Sequence, residues 1–273
     1  MRGKAAVFDI FQYSFCRYAL VALLLLTPLL SLLGTMAVNQ RLAFFSDALG
    51  HSALAGVGLG LLLGIENELI SLIVFGVLWA VCIMAINHSG RSSADTTISV
   101  FSSTGIALGL LILSKGGSFS KYSSLLAGDI LAITENDLIG LAIALVIGGA
   151  LWIVLYNRLL LTAVNPALAG SRGIHTRLVE YAFVALVAVD VMLAIRWVGV
   201  LLINALLILP AAAARNISRT AAQHALFSVL IGIFSGVAGL ISACLLDTGV
   251  GAAVVLWAAL LYALTLLIGK FRK

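Results

Sequence analysis

Nine apolar segments, near residues 18–38, 43–64, 68–87, 97–114, 137–156, 178–195, 199–214, 224–245 and 250–269, account for most of this chain. Most come close to the 18 to 20 residues with which a helix crosses a hydrocarbon layer of about 30 Å. Inside such a layer every backbone N–H and C=O must be bonded within the protein, so only helices and closed barrels can span it. Three prolines and 26 glycines in 273 residues fit closely packed helices rather than a sheet. The hydrophobic share of 62%, the charged share of 10% and a mean hydropathy of +1.17 exclude a water-soluble domain of this length. The expected fold is an all-α polytopic membrane protein, a single domain over residues 1–273 with about nine transmembrane helices, eight to ten allowing for boundary error.

The first 17 residues mix basic, aromatic and polar groups and read as an interfacial lead-in. The apolar run after Arg17 is too long for a signal-peptide core and no small-residue cleavage site follows it, so it reads as a retained first helix. When nine crossings alternate with the N-terminus outside, ten of the 16 Lys and Arg residues fall on the cytoplasmic side, which puts the C-terminus there as well. The formal charge of +5 is spread over helix ends rather than gathered in one patch, so no nucleic-acid partner is inferred. Cys16, Cys82 and Cys244 lie in or beside apolar runs without C-x-x-C spacing and read as small core residues.

Two connections exceed a simple turn. Residues 115–136 fall outside and are expected to hold a short re-entrant or interfacial helix. Residues 157–177 fall inside, and there Asn165 before Pro166 marks a helix start, a capping side chain followed by proline at the first helical position. A short helix of about two turns follows within 165–174.

The costly residues lie in the stretch Arg41–Gly60. Asp47 and His51 stand at i and i+4, so both leave one helix face about 5–6 Å apart at Cβ. A carboxylate with an imidazole suits a divalent zinc, manganese or iron ion and leaves coordination positions for other ligands or water. The alternative is that Asp47 is a helix N-terminal acid beside Ser46 and His51 bonds a neighbouring helix. A helix starting near Arg41 would place His51 roughly 15 Å in, near mid-membrane. Ser52, Gly56, Gly60 and Gly64 form an adjacent small-residue ridge for close packing.

Further candidates are weaker. The hydroxyls from Ser92 to Thr104 could line a wet path or bond back to their own helix. Asp190 is an acid within an apolar segment, and Asn204 and Pro210 interrupt the seventh crossing, with a kink expected at Pro210. Asp190, Asn204 and Thr104 are therefore candidate path-lining residues. His88, His175 and His224 fall at loops or helix ends and read as interfacial. The chain has no Walker lysine motif, so any ATP hydrolysis belongs to another subunit.

Three blocks in order, Arg41 to Val57, Leu126 to Thr134 and Val198 to Arg215, resemble the bacterial metal-ion ABC permeases, the membrane subunits of zinc and manganese uptake systems. The resemblance covers nearly the whole chain and implies a type II ABC importer-like permease in the bacterial plasma membrane. It implies a homodimer, a cytoplasmic ABC ATPase subunit and an extracytoplasmic metal-binding protein as partners. Asp47 and His51 match the family's metal site, and Asn165, Pro166, Ala167, Leu168, Ala169 and Gly173 match the helix that couples to the ATPase. Members commonly carry Pro-Glu where this chain has Pro166-Ala167. Leu54-Ala55-Gly56 and Gly128-Asp129-Ile130-Leu131 resemble the zinc branch, so transported zinc is expected ahead of manganese or iron, with no permanently bound cofactor. The chain itself is then a transporter subunit and not an enzyme. Two rival readings come from other classes: an ATP-independent metal channel or carrier, and an intramembrane metalloenzyme, which the lack of a full ligand set with a general base weakens.

Overall fold

A computed structural model describes residues 13–90, 92–115, 122, 128 and 130–271. Its helices are α1 (Ser14–Asn39), α2 (Phe45–Leu62), α3 (Glu68–His88), α4 (Ala94–Lys115), α5 (Glu135–Val164), α6 (Pro166–Ser171), α7 (Thr176–Ile217), α8 (Ala221–Leu246) and α9 (Val250–Phe271), with a 3₁₀ turn at Ile130–Ala132. No strand occurs among the described residues. Among the described residues seven helices are long and apolar enough to cross a membrane. One of these, α7, has 42 residues and would measure about 63 Å, twice the hydrocarbon layer. It breaks at Gly199, whose φ of 78° only glycine adopts without strain, so α7 supplies two passes. With α2, whose Asp47, His51 and four glycines lower its hydropathy, the described residues provide nine passes.

Several boundaries differ from expectation for local reasons. The break in α7 falls at Gly199, at the junction expected between the sixth and seventh crossings, and Pro210 lies within the second arm without non-helical dihedrals. Helix α5 continues to Val164, so residues 157–164 extend that helix instead of forming a loop. No Gly or Pro follows Gly149 until Pro166, which disfavours helical dihedrals at Asn165. At its start, Thr134 and Asp137 form a capping box: Asp137 Oδ2 accepts from Thr134 N at 3.0 Å and from its hydroxyl at 2.6 Å. Helix α1 begins at Ser14, inside the expected lead-in, whose residues 1–12 lie outside the described residues. Most of the 115–136 connection does too.

The chain divides into two compact units. The first comprises the described residues of 1–38, 127–145 and 197–273. There α8 turns Ser228, Gly232 and Gly236 toward α1: Ser228 Oγ donates to Ser31 O at 3.0 Å, and a Cβ at Gly236 would meet Thr27. His224, in the first turn of α8, is buried in this unit against Ala211 O at 2.9 Å. Cys16 Sγ and Cys244 Sγ lie 3.7 Å apart.

The second unit comprises the described residues of 39–126 and 146–196 and contains α2, α3, α4 and α6. Helix α2 packs most extensively on α4 and α3. A Cβ at Gly105 would come 3.0 Å from the Cα of Ser52, and one at Gly109 within 2.8 Å of Ala55 N, so the α2 and α4 backbones nearly touch. On the other flank Gly56 and Gly60 receive Phe75 and Ser71 of α3, and Ser71 Oγ donates to Gly56 O at 2.6 Å. Gly64 is not part of this ridge. It sits past the helix end at φ 69°, where an added Cβ would meet nothing within 4 Å, and its N–H bonds Leu61 O while that of Ile65 bonds Gly60 O, a glycine helix stop.

The tight α2–α4 contact has a direct test. Gly109→Ala is expected to destabilise the protein by about 1–3 kcal/mol through overpacking. Gly149→Ala, on a part of α5 with nothing within 4 Å, is expected to cost nothing. Thermal unfolding midpoints of the two purified variants check the contrast.

Candidate metal site

Helix α2 starts later than expected. Arg41 adopts a left-handed φ of 61° and Phe45 N bonds Leu42 O at 3.0 Å, so helical bonding begins at Phe45. Asp47 is thus in the first turn, where an acid is also favoured by the helix dipole, and His51 lies six residues past Phe45, roughly 9 Å along. The pair therefore sits in the first half of α2 rather than halfway through a longer helix.

Asp47 Oδ1 and His51 Nε2 are 3.3 Å apart. Two ligands bound tetrahedrally at 2.0–2.1 Å are separated by about 3.3–3.4 Å, so the pair already spans one edge of such a site. The side chains are 43% and 30% exposed, open enough for an ion to reach. Among the described residues no group of three or more His, Cys, Asp and Glu side chains could enclose a metal. A site built on these two therefore leaves its remaining positions to water or weaker oxygen donors.

The other candidates scatter. Thr104 is exposed on α4 directly before Gly105, which abuts Ser52, so it stands at the level of His51. Asp190 is buried in the first arm of α7, 5% exposed, and its Oδ2 has no hydrogen-bond partner among the described residues. Asn204 belongs to the first unit and is half-buried. The structure also brings together a pair that the sequence did not signal: His88 at the end of α3 and Glu180 in α7, with Nε2 and Oε2 2.5 Å apart. They are 92 residues apart in the chain, so no spacing motif could reveal them.

The model of the ABC 3 transport family matches residues 12–269 of this chain. The chain belongs to that family. This ABC 3 member is similar to the high-affinity zinc uptake system membrane protein ZnuB of Haemophilus influenzae, 32% identical over 91% of this chain and 95% of that one. It is similar as well to the manganese import system permease protein ScaB of Streptococcus parasanguinis, 30% identical over 96% and 94% of the two chains. Among solved structures, a chain of PsaBC from Streptococcus pneumoniae in complex with Fab superposes with a TM-score of 0.83 at 27% identity, covering 96% of this chain and 94% of that one.

In this ABC 3 chain α6 is formed by its caps. Asn165 Oδ1 accepts from Leu168 N at 3.0 Å and Pro166 occupies the first turn. At the other end Gly173 N bonds Gly170 O and Ile174 N bonds Ala169 O, closing the helix with the same pair of bonds as α2. Of Asn165, Pro166, Ala167, Leu168, Ala169 and Gly173, expected to couple to an ATPase, only Ala169 is buried, so the outer surface of α6 is exposed. Its first turn carries no acid. Asn165→Ala is expected to cost α6 about 1 kcal/mol. Faster amide hydrogen exchange over 166–171, with α5 and α7 unchanged, checks it.

Proposed function

We propose that this chain is the permease subunit of an ABC importer that carries a divalent transition metal ion, zinc first, past Asp47 and His51. The observation that carries the reading is the 3.3 Å Oδ1 to Nε2 separation of a part-exposed acid and imidazole on one helix of a family member whose relatives are a zinc and a manganese permease. A nitrogen and an oxygen ligand suit zinc, and few strong protein ligands suit a path, because an ion held by a complete set would be trapped. The zinc preference rests on Leu54-Ala55-Gly56 and the 128–131 block. Manganese is the second reading, favoured by the comparable identity to ScaB.

In this reading the chain pairs with a second copy and with a cytoplasmic ABC ATPase subunit, and an extracytoplasmic metal-binding protein delivers the ion. The N-terminus lies outside and the C-terminus and α6 lie in the cytoplasm. ATP binding and hydrolysis in the partner moves α6, and because α6 joins α5 to α7 through short capped turns, the push passes to those two helices.

Asp47→Ala and His51→Ala are each expected to abolish uptake of radioactive zinc and manganese by cells expressing the whole system, with unchanged amounts of permease in the membrane. Normal uptake by both variants would remove these residues from the path. Replacing 165–173 by a Gly-Ser linker is expected to abolish co-purification of the ATPase subunit; retention of the ATPase would favour a docking site elsewhere.

A further inference from the structure

Cys16 and Cys244 stand 228 residues apart in the chain, yet their Sγ atoms are 3.7 Å from one another in the first unit. The contact is the end rung of a seam. Helices α1 and α8 run antiparallel along it: Ser228 meets Ser31, Gly236 faces Thr27 and Cys244 meets Cys16. Cys244 lies 16 residues after Ser228 and Cys16 lies 15 before Ser31, so the rungs keep step along about 23 Å of both helices. Each cysteine occupies a terminal turn. Cys16 is the third residue of α1, and Cys244 is the third from the end of α8, where Asp247 stops the helix in a left-handed conformation with φ 54°. The apolar segments 18–38 and 224–245 put Cys16 just before one crossing and Cys244 at the close of another. Both sulfurs therefore belong to the membrane edge.

Access differs between the two thiols. Cys16 is 2% exposed, whereas Cys244 is half-buried and is followed by the exposed run from Leu245 to Gly249, so a reagent from the aqueous side meets Cys244 first. A disulfide brings its sulfurs to about 2.05 Å. Thiols already in contact at 3.7 Å need side-chain rotation to reach that distance. The third cysteine, Cys82, is exposed on α3 of the other unit, within an apolar segment. It supplies an internal reference for a thiol that stays reduced.

We propose that Cys16 and Cys244 are a disulfide site on the outer face of the membrane, a covalent clasp that fastens the start of α1 to the end of α8. The proposal rests on the orientation given above, in which the start of α1 and the end of α8 both face outside, the side on which disulfides form and persist. The oxidant is the disulfide of an extracytoplasmic thiol oxidase. The thiolate of Cys244 attacks one sulfur of that disulfide, and the other sulfur leaves as a thiolate. The thiolate of Cys16 then attacks Cys244 Sγ and expels the first sulfur. Two protons and two electrons pass from the cysteines to the oxidant, which ends as a dithiol. Closing so long a loop removes freedom from the unfolded chain, so the clasp stabilises the first unit.

The test reads the thiols of the full chain in bacteria that express it. Cells are denatured in SDS with iodoacetamide to block free thiols, then reduced, treated with N-ethylmaleimide, digested and analysed by mass spectrometry. Cys16 and Cys244 are expected to carry the maleimide and Cys82 the acetamide. Acetamide on Cys16 and Cys244 would overturn the proposal. Reductant is expected to lower the thermal unfolding midpoint of the purified protein to that of the Cys16→Ser variant, which reductant leaves unchanged; an unsubstituted protein indifferent to reductant would remove the clasp. Thr248→Cys in a Cys16→Ser, Cys244→Ser background, treated in intact cells with a membrane-impermeant maleimide, reads the orientation separately. If Cys16 and Cys244 are free while this variant is labelled above its background, the disulfide alone fails; if it is not labelled, the orientation fails and the proposal with it.

Discussion

A carboxylate on an apolar helix governs how the second unit can be assembled. An ionised aspartate at the centre of a membrane helix costs about 2.5–3.5 kcal/mol. Asp47 avoids part of that cost by standing in the first turn rather than mid-helix, with an imidazole 3.3 Å away on the same face. That face is part-exposed, and α2 is held by its other sides. These are made of small residues: Ser52 against Gly105, Ala55 against Gly109, and Gly56 and Gly60 against Phe75 and Ser71. Lipid tails are as apolar as leucine, so close backbone approach and the Ser71 to Gly56 hydrogen bond hold α2, not hydrophobic sorting.

Helix ends do as much as helix faces. The left-handed Arg41 delays α2 until Phe45 and so draws Asp47 and His51 toward the end of the unit that also carries a cavity lined by His88 and Glu180. Asn165 and Gly173 define α6 between two long helices, and Gly199 divides α7. Each of these residues bends or stops the chain where a straight helix would carry the functional groups apart.

Much of this architecture was legible before any tertiary contact was known. Apolar runs of crossing length required helices, the four-residue spacing placed Asp47 and His51 on one face, and Asn165-Pro166 announced α6. These signals are local, since a helix turn and a cap depend on residues within about four positions. Where reading along the chain went astray, at Gly64 and at 157–164, the deciding quantity was how the backbone continued rather than a residue type.

By itself, then, the sequence determined the membrane class, an approximate count of passes, the acid and imidazole pair and the short capped helix. Tertiary structure alone decided which flank of α2 meets α3 and which meets α4, that His224 is buried, and that His88 meets Glu180 beside a polar cavity. The physical reason is separation: Ser71 and Gly56 are 15 residues apart and His88 and Glu180 are 92. Contacts over such distances are set by how helices pack, which no local period or cap encodes.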